Sequence, residues 1–324
     1  MVAKTIIHNL TINVNSPNNS TDKHEVCSNL EKVAQRKKAA ITISGKLHLI
    51  GEEKRAILMR ACNTVLEIYK CSNCGKTKVL NAHLCRDRLC PTCQYLLSVK
   101  RYNQMQETIK HLNVAAYEWR FITLTIRNCA PEDLTQTISQ MLKSWDRICK
   151  RRTIKRILKG WGRSLEITYN RNVGSFHPHI HILAAFEKGC APNLHEVSTW
   201  WKEAMDLSYM PICDIEIPYS KKSDSITSAM IEAFKYATKS KEVAEMPLSS
   251  FSFLVKAIKG VRLLAFGGII RTARAELGLK EDDIAETEII EDKCCGSEMQ
   301  KAIAKWSFDT ETYKIIEGYT DEDK

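Results

Sequence analysis

At 324 residues with 44% hydrophobic side chains, the chain has room for one large domain or two ordinary ones and can bury a sizeable core, so disorder is not its default state. No charged, apolar and small-residue leader and no apolar run of about 18 residues is present, so a cytoplasmic protein without a membrane span is expected. The formal charge is +10, and the acidic residues collect toward the C-terminus, so a strongly basic middle remains that suits a polyanionic partner, nucleic acid first. Thirteen cysteines in a reducing compartment read as metal ligands or buried thiols rather than disulfides.

Residues 1–50 form a poorly defined N-terminal arm, with a turn-like stretch from Ser16 to Thr21 and a basic, helical patch from Leu30 to Ala40. Residues 51–115 are expected to form a helical zinc-knuckle region. Ile57, Leu58, Ala61, Val65 and Ile68 recur at helical spacing, which predicts one amphipathic helix from Glu52 to about Tyr69. Cys71-x2-Cys74 and Cys90-Pro-x-Cys93, fifteen residues apart, have the spacing of a tetrahedral Zn²⁺ site closed by thiolates. A second set competes: Cys85, Cys90 and Cys93 with one upstream cysteine, Cys62, Cys71 or Cys74, and His83 is a spare ligand.

Trp119 to Arg127 is rich in β-branched and aromatic residues and reads as a strand with Thr123 and Thr125 on one face. Pro131-Glu-Asp opens a helix running to about Leu158. Between Lys143 and Arg163 stand nine basic residues and one acid, Asp146, a density that suits a phosphate backbone. Arg147, Lys150, Arg151, Arg152, Lys155 and Arg156 are the DNA-binding candidates.

Arg163 to Asn170 alternates apolar and polar residues, and the loop Arg171–Gly174 joins it to a strand containing Phe176-His-Pro-His-Ile-His-Ile-Leu183. Alternation sends His177, His179 and His181 to one face. A four-residue hairpin loop sets Glu166 opposite His179 and Thr168 opposite His177. One face of the hairpin then carries a carboxylate and three imidazoles, a set that binds a divalent ion and leaves positions open for substrate oxygens.

Pro192 to about Tyr209 reads as a helix, and Cys213 to Pro218 as a short edge strand. From Ser225 to Lys239 an apolar stripe predicts a helix with Glu232, Tyr236 and Lys239 on its shoulder. Tyrosine can serve as a covalent nucleophile, and a nearby cation favours its ionised form. Phe251 to Lys256 and Arg262 to Gly268 read as packed segments, and Ile270 to Leu279 as a short basic helix. Residues 281–324 form an acidic tail, expected to be a solvated extension.

In order and spacing, the strand Phe121–Thr125, the strand Phe176–Leu183 and Glu232-x3-Tyr236-x2-Lys239 resemble the rolling-circle plasmid replication initiators, a family of HUH endonucleases. Cys85-Arg-x-Arg-x-Cys-Pro-x-Cys-Gln94 and Arg262-Leu-Leu-x-Phe-Gly-Gly268 look like the same family. The likeness runs from about Ala56 to Leu279. It implies an α+β fold: an HUH-type central antiparallel sheet flanked by helices over residues 116–280, with the histidine strand in the middle, the tyrosine helix against one side, and an N-terminal zinc-knuckle module.

The resemblance implies that His179 and His181 hold Mg²⁺ or Mn²⁺ with Glu166 as third ligand, and His177 is a further candidate. It also implies that Tyr236 attacks the scissile phosphodiester to give a 5′-phosphotyrosyl intermediate and a free 3′-OH. Glu232 then matches the group that activates water at termination, and Lys239 would stabilise phenolate or phosphate charge. The expected partners are double- and single-stranded plasmid origin DNA and a host helicase and polymerase, with no membrane. Two alternatives are an HUH transposase or relaxase, and a non-catalytic zinc-containing DNA-binding regulator.

Overall fold

A computed structural model describes residues 28–75, 77–218, 240–279 and 299–316. The chain divides into two compact units, residues 1–97 with 282–324, and residues 98–281. The helix α3 (Pro91–His111) spans the division between them. Among the described residues no helix is long and apolar enough to cross a membrane.

The first unit begins with α1 (Ser28–Leu49), which overlaps the stretch expected to be a poorly defined arm, and continues with α2 (Glu53–Ala61). The helix expected to reach Tyr69 stops at Ala61, and β1 (Val65–Cys71) follows. Val65 and Ile68 fit helical spacing but are β-branched, and pairing with two neighbouring strands decides their state. β2 (Thr77–Ala82) pairs with one side of β1 and β8 (Met299–Ser307) with the other; β9 (Thr312–Ile316) completes an antiparallel sheet in the order β2-β1-β8-β9. The acidic tail thus contributes two strands instead of a solvated extension. Along β8, Ala302, Ala304 and Trp306 are buried on one face, and on the other Ile303 is buried between the solvent-facing Lys301 and Lys305.

The second unit is built on a five-stranded antiparallel sheet, order β6-β3-β5-β4-β7, from β3 (Tyr117–Thr125), β4 (Leu158–Asn170), β5 (Ser175–Glu187), β6 (Cys213–Glu216) and β7 (Leu264–Gly267). The histidine strand is central and β6 is an edge, both as expected. The helix expected from Pro131 to Leu158 is two helices, α4 (Leu134–Lys150) and α5 (Arg152–Ile157), because Arg151 is extended between them. α6 (Leu194–Met205) starts at a capping box between Asn193 and Glu196. Then come α7 (Ser240–Glu245), α8 (Leu248–Ile258) and α9 (Gly268–Glu276).

Strand alternation divides the side chains between two faces. Ile122 and Leu124 of β3 and Phe186 of β5 share an apolar space with Trp145 and Ile148 of α4, Ile154 of α5 and Val197 of α6. The opposite face holds Thr123, His179 and His181 at one end. At its other end Trp119, Phe121, Leu183 and Ala185 pack with Met105 of α3, Leu264 and Phe266 of β7 and Ile270 of α9. The helices α3 and α9 thus cover half of the histidine face and leave the histidine end for chemistry.

Pro178 sits in a central strand, where a proline would ordinarily remove a ladder hydrogen bond. The β3 ladder ends at Thr125↔His179, and the next bridge is Cys129↔Phe176, so the proline falls in a gap where no β3 partner is called for. The glycine pair of Phe266-Gly-Gly268 also has a steric reason. Gly268 has φ +56, and a Cβ there would lie 2.0 Å from the Lys159 carbonyl oxygen. A Cβ on Gly267 would fall 2.4 Å from the Trp161 ring. The β7–α9 junction therefore lies directly against β4 with no room for a side chain. Gly260 also has positive φ, +71, but open space around it. Gly268→Ala should lower stability by more than about 2 kcal/mol, and Gly260→Ala by about 1 kcal/mol, the backbone cost alone. Urea unfolding midpoints of the two variants against the parent check this ordering.

Candidate metal centre

β4 pairs with β5 in the register expected of a four-residue loop, with Glu166↔His179 and Thr168↔His177. Glu166 is 8% exposed. Its Oε2 stands 3.1 Å from Nε2 of His179 and 3.1 Å from Nε2 of His181. Ligands on adjacent corners of an octahedron about 2.1 Å from a cation stand about 3.0 Å apart. The carboxylate oxygen therefore stands at cis-ligand spacing from each imidazole nitrogen, and the three atoms could share one cation with its remaining corners open to water or substrate oxygens.

The outer hydrogen bonds fix which ring nitrogens face inward. Nδ1 of His179 lies 3.2 Å from the His177 carbonyl, which only accepts, so that nitrogen donates, and in the neutral ring Nε2 keeps its lone pair. Nδ1 of His181 bonds Thr123 Oγ1 at 3.1 Å, and its ring stacks on Phe121 at 5.6 Å between centroids. Partners of this kind orient metal-ligating imidazoles. A carboxylate facing two imidazole lone pairs is repulsive unless a proton or a cation lies between them. Burial pushes the Glu166 carboxyl up, but where protons on the rings take that place, the hydrogen bonds from His179 and His181 and their charge outweigh it and hold the carboxyl well below the usual carboxylate range.

His177, proposed from sequence as a further ligand, stands outside this group. Its Nδ1 bonds Asn128 Oδ1 at 2.9 Å, and the Asn128 amide donates to Ser175 Oγ at 3.0 Å, so the ring is held at the rim of the site. Burial, with His179 nearby, pulls its pKa below the ordinary value. Thr123 was legible as a residue on the shared face. Asn128 was not, because it lies beyond the end of β3.

In the first unit the thiols of Cys62, Cys85, Cys90 and Cys93 converge. Sulfur separations are 3.7 Å for Cys62–Cys93, 3.7 Å for Cys85–Cys93 and 3.6 Å for Cys62–Cys90. Four sulfurs about 2.3 Å from a tetrahedral Zn²⁺ stand about 3.8 Å apart, so the set fits that ion. The Arg86 amide donates to Cys93 Sγ at 3.3 Å from a residue at φ +57. Cys71 and Cys74, which the knuckle spacing favoured, are not in the group: Cys71 ends β1 and Cys74 lies in the exposed turn after it. β1 carries both away from the other thiols.

Cys62 is brought in by tertiary contacts rather than motif spacing. Buried Lys37 of α1 donates to the carbonyls of Cys62 at 2.5 Å and Arg60 at 2.6 Å. The Tyr313 hydroxyl donates to the Asn63 carbonyl at 2.6 Å, and the Trp306 amide to the Thr64 carbonyl at 2.8 Å. Burial pulls the Lys37 ammonium's pKa down, and the charge of Cys62, Cys90 and Cys85 opposes that pull.

The six basic DNA-binding candidates lie on α4, α5 and the residue between them, across the sheet from the metal group. Two are committed within the fold. Arg147 donates to Ser144 Oγ at 2.9 Å and to the Ala204 carbonyl, and Arg151 pairs with Glu203 at 2.7 Å. Lys150, Arg152, Lys155 and Arg156 are exposed and make no ion pair among the described residues. Glu232, Tyr236 and Lys239 lie outside the described residues.

No solved structure matches the chain. A family model described as "Replication protein" matches residues 76–314. The protein rep of Lentilactobacillus hilgardii is 29% identical over 278 residues, covering 81% of this chain and 88% of that protein. Those of Bacillus amyloliquefaciens and Lactiplantibacillus plantarum are 29% and 27% identical, covering 74% and 82% of this chain and 78% and 90% of their own lengths. The match takes in the strand pair that carries Glu166 and the histidines, three of the four converging cysteines and the glycine junction, and on that extent the chain belongs to the replication protein family, the Rep-like group its motifs resemble.

Proposed function

We propose that the protein initiates rolling-circle replication of a plasmid by nicking one strand of origin DNA and rejoining it at termination. The observation that carries this reading is the Glu166, His179 and His181 group, three inward-facing ligand atoms on the central strands of an antiparallel sheet. A divalent ion held there, Mg²⁺ or Mn²⁺, would neutralise charge on the scissile phosphate. Family membership supports a substrate of that class.

In this reading Tyr236 is the nucleophile. Its phenolate oxygen attacks the scissile phosphorus, the P–O3′ bond breaks, and the strand leaves with a free 3′-OH while the 5′-phosphate stays on the tyrosine. Lys239, three residues further along the sequence, favours the phenolate. Glu232 would take the proton from the water that later hydrolyses a phosphotyrosine. Lys150, Arg152, Lys155 and Arg156 face away from the metal group, so they are assigned to the phosphates of duplex DNA flanking the nick rather than to the reacting strand. The zinc of the first unit is assigned to Cys62, Cys85, Cys90 and Cys93 in a structural role, with all four positions closed by thiolates.

Incubated with Mn²⁺ and a labelled single-stranded origin oligonucleotide, the protein should form a covalent adduct that survives denaturation, and Tyr236→Phe should form none. Tight DNA binding without any adduct would favour a non-catalytic regulator. For the zinc set, Cys62→Ser should lose bound zinc by elemental analysis and Cys74→Ser should retain it. The reverse result would return the site to the knuckle first read from spacing.

A further inference from the structure

Beside the metal group the edge of β3 carries an irregularity. Between the Thr125↔His179 pair and the Cys129↔Phe176 bridge, three residues on one side (Ile126, Arg127, Asn128) face two on the other (His177, Pro178). An extra residue of this kind bends a strand and re-aims its side chains, and such bulges are frequent next to active sites. Asn128 uses its new direction to hold His177. Arg127 points its guanidinium over the ring of Tyr209, 4.1 Å from the centroid, and its backbone amide donates to the Tyr209 hydroxyl at 3.0 Å.

The Tyr209 loop is itself fixed to the end of β3. The Trp201 indole donates to the Thr125 carbonyl at 2.8 Å, and the Thr125 hydroxyl donates to the Ile212 carbonyl. Arg127 is exposed, and its guanidinium has no hydrogen-bond or ion-pair partner among the described residues. A stacked guanidinium keeps its N–H edge free for a phosphate while its orientation is already set. Ile212, 85% exposed, and Met210, 49% exposed, lie on the same loop and offer apolar surface suited to an unpaired nucleobase.

Resting on the nickase reading above, we propose that Arg127, held by Tyr209, binds a backbone phosphate of the single DNA strand next to the one that is cut, with Met210 and Ile212 under the neighbouring bases. A single strand rather than a duplex is the occupant, because a phosphate contact is joined here to exposed apolar side chains that paired bases could not reach. Arg127 is thus a positioning residue for the reacting strand.

The test uses the full chain carrying Tyr236→Phe, which cannot trap the strand, and a fluorescein-labelled dT20 oligonucleotide titrated by anisotropy across a salt series. Adding Arg127→Ala should weaken binding roughly tenfold and reduce the slope of log K against log salt by about 0.7, the loss of one phosphate contact on a single strand. Arg127→Lys should restore the slope. Tyr209→Ala should weaken binding with less change in slope, and Mn²⁺ affinity should be unchanged in every variant. An Arg127→Ala variant with parental affinity and slope overturns the proposal, even if the otherwise unaltered protein forms its tyrosine adduct with origin DNA. Failure of the unaltered protein to form that adduct, with Arg127→Ala still flattening the slope, overturns the nickase reading and leaves Arg127 as a single-strand contact.

Discussion

The metal centre depends on one constraint, the register of β4 against β5. Glu166 meets His179 because a four-residue loop fixes which residues face each other, and His181 reaches the same oxygen because it is one strand repeat further on. A slip of one residue would turn the carboxylate to the opposite face, among apolar side chains such as Leu165 and Ile167. Both faces of the strand pair are packed over most of their length, so such a slip would also expose core residues. The register that buries the core is thus the same one that assembles the ligands.

The two faces divide the labour of the second unit. One is covered by α4, α5 and α6 and carries the density of basic residues on its outer surface. The other has its covered half under α3 and α9 and its chemical half at Glu166, His179 and His181. Pro178 and the bulge at Arg127–Asn128 belong to the boundary where the β3 ladder stops. There the backbone leaves regular pairing, and side chains can be aimed at the rim of the site instead of into the core.

Much of the metal centre was legible in the sequence because it is local. Strand alternation gave the shared face of the histidines, and loop length gave the partner of His179; both need only short-range geometry. The ligand set of the cysteine cluster was legible only as alternatives. Cys62 reaches it through contacts from Lys37, Trp306 and Tyr313, residues that lie far from it in the chain, and knuckle spacing carries no trace of those contacts. For the same reason β1 was read as the end of a helix and β8, with the β9 strand that pairs on it, as a charged tail: β1 and β8 pair across more than two hundred residues of chain. Charge density alone assigned Arg147 and Arg151 to DNA, yet a carbonyl at the end of α6 and a carboxylate already hold them.

Crystals of the protein soaked with Mn²⁺ and measured at a wavelength where manganese scatters anomalously test the metal centre most directly. The account predicts one anomalous peak in the second unit, within bonding distance of Glu166 Oε2 and of Nε2 on His179 and His181, with His177 still bonded to Asn128. A peak ligated by His177 in place of Glu166, or no peak beside the histidine strand at saturating Mn²⁺, would contradict it.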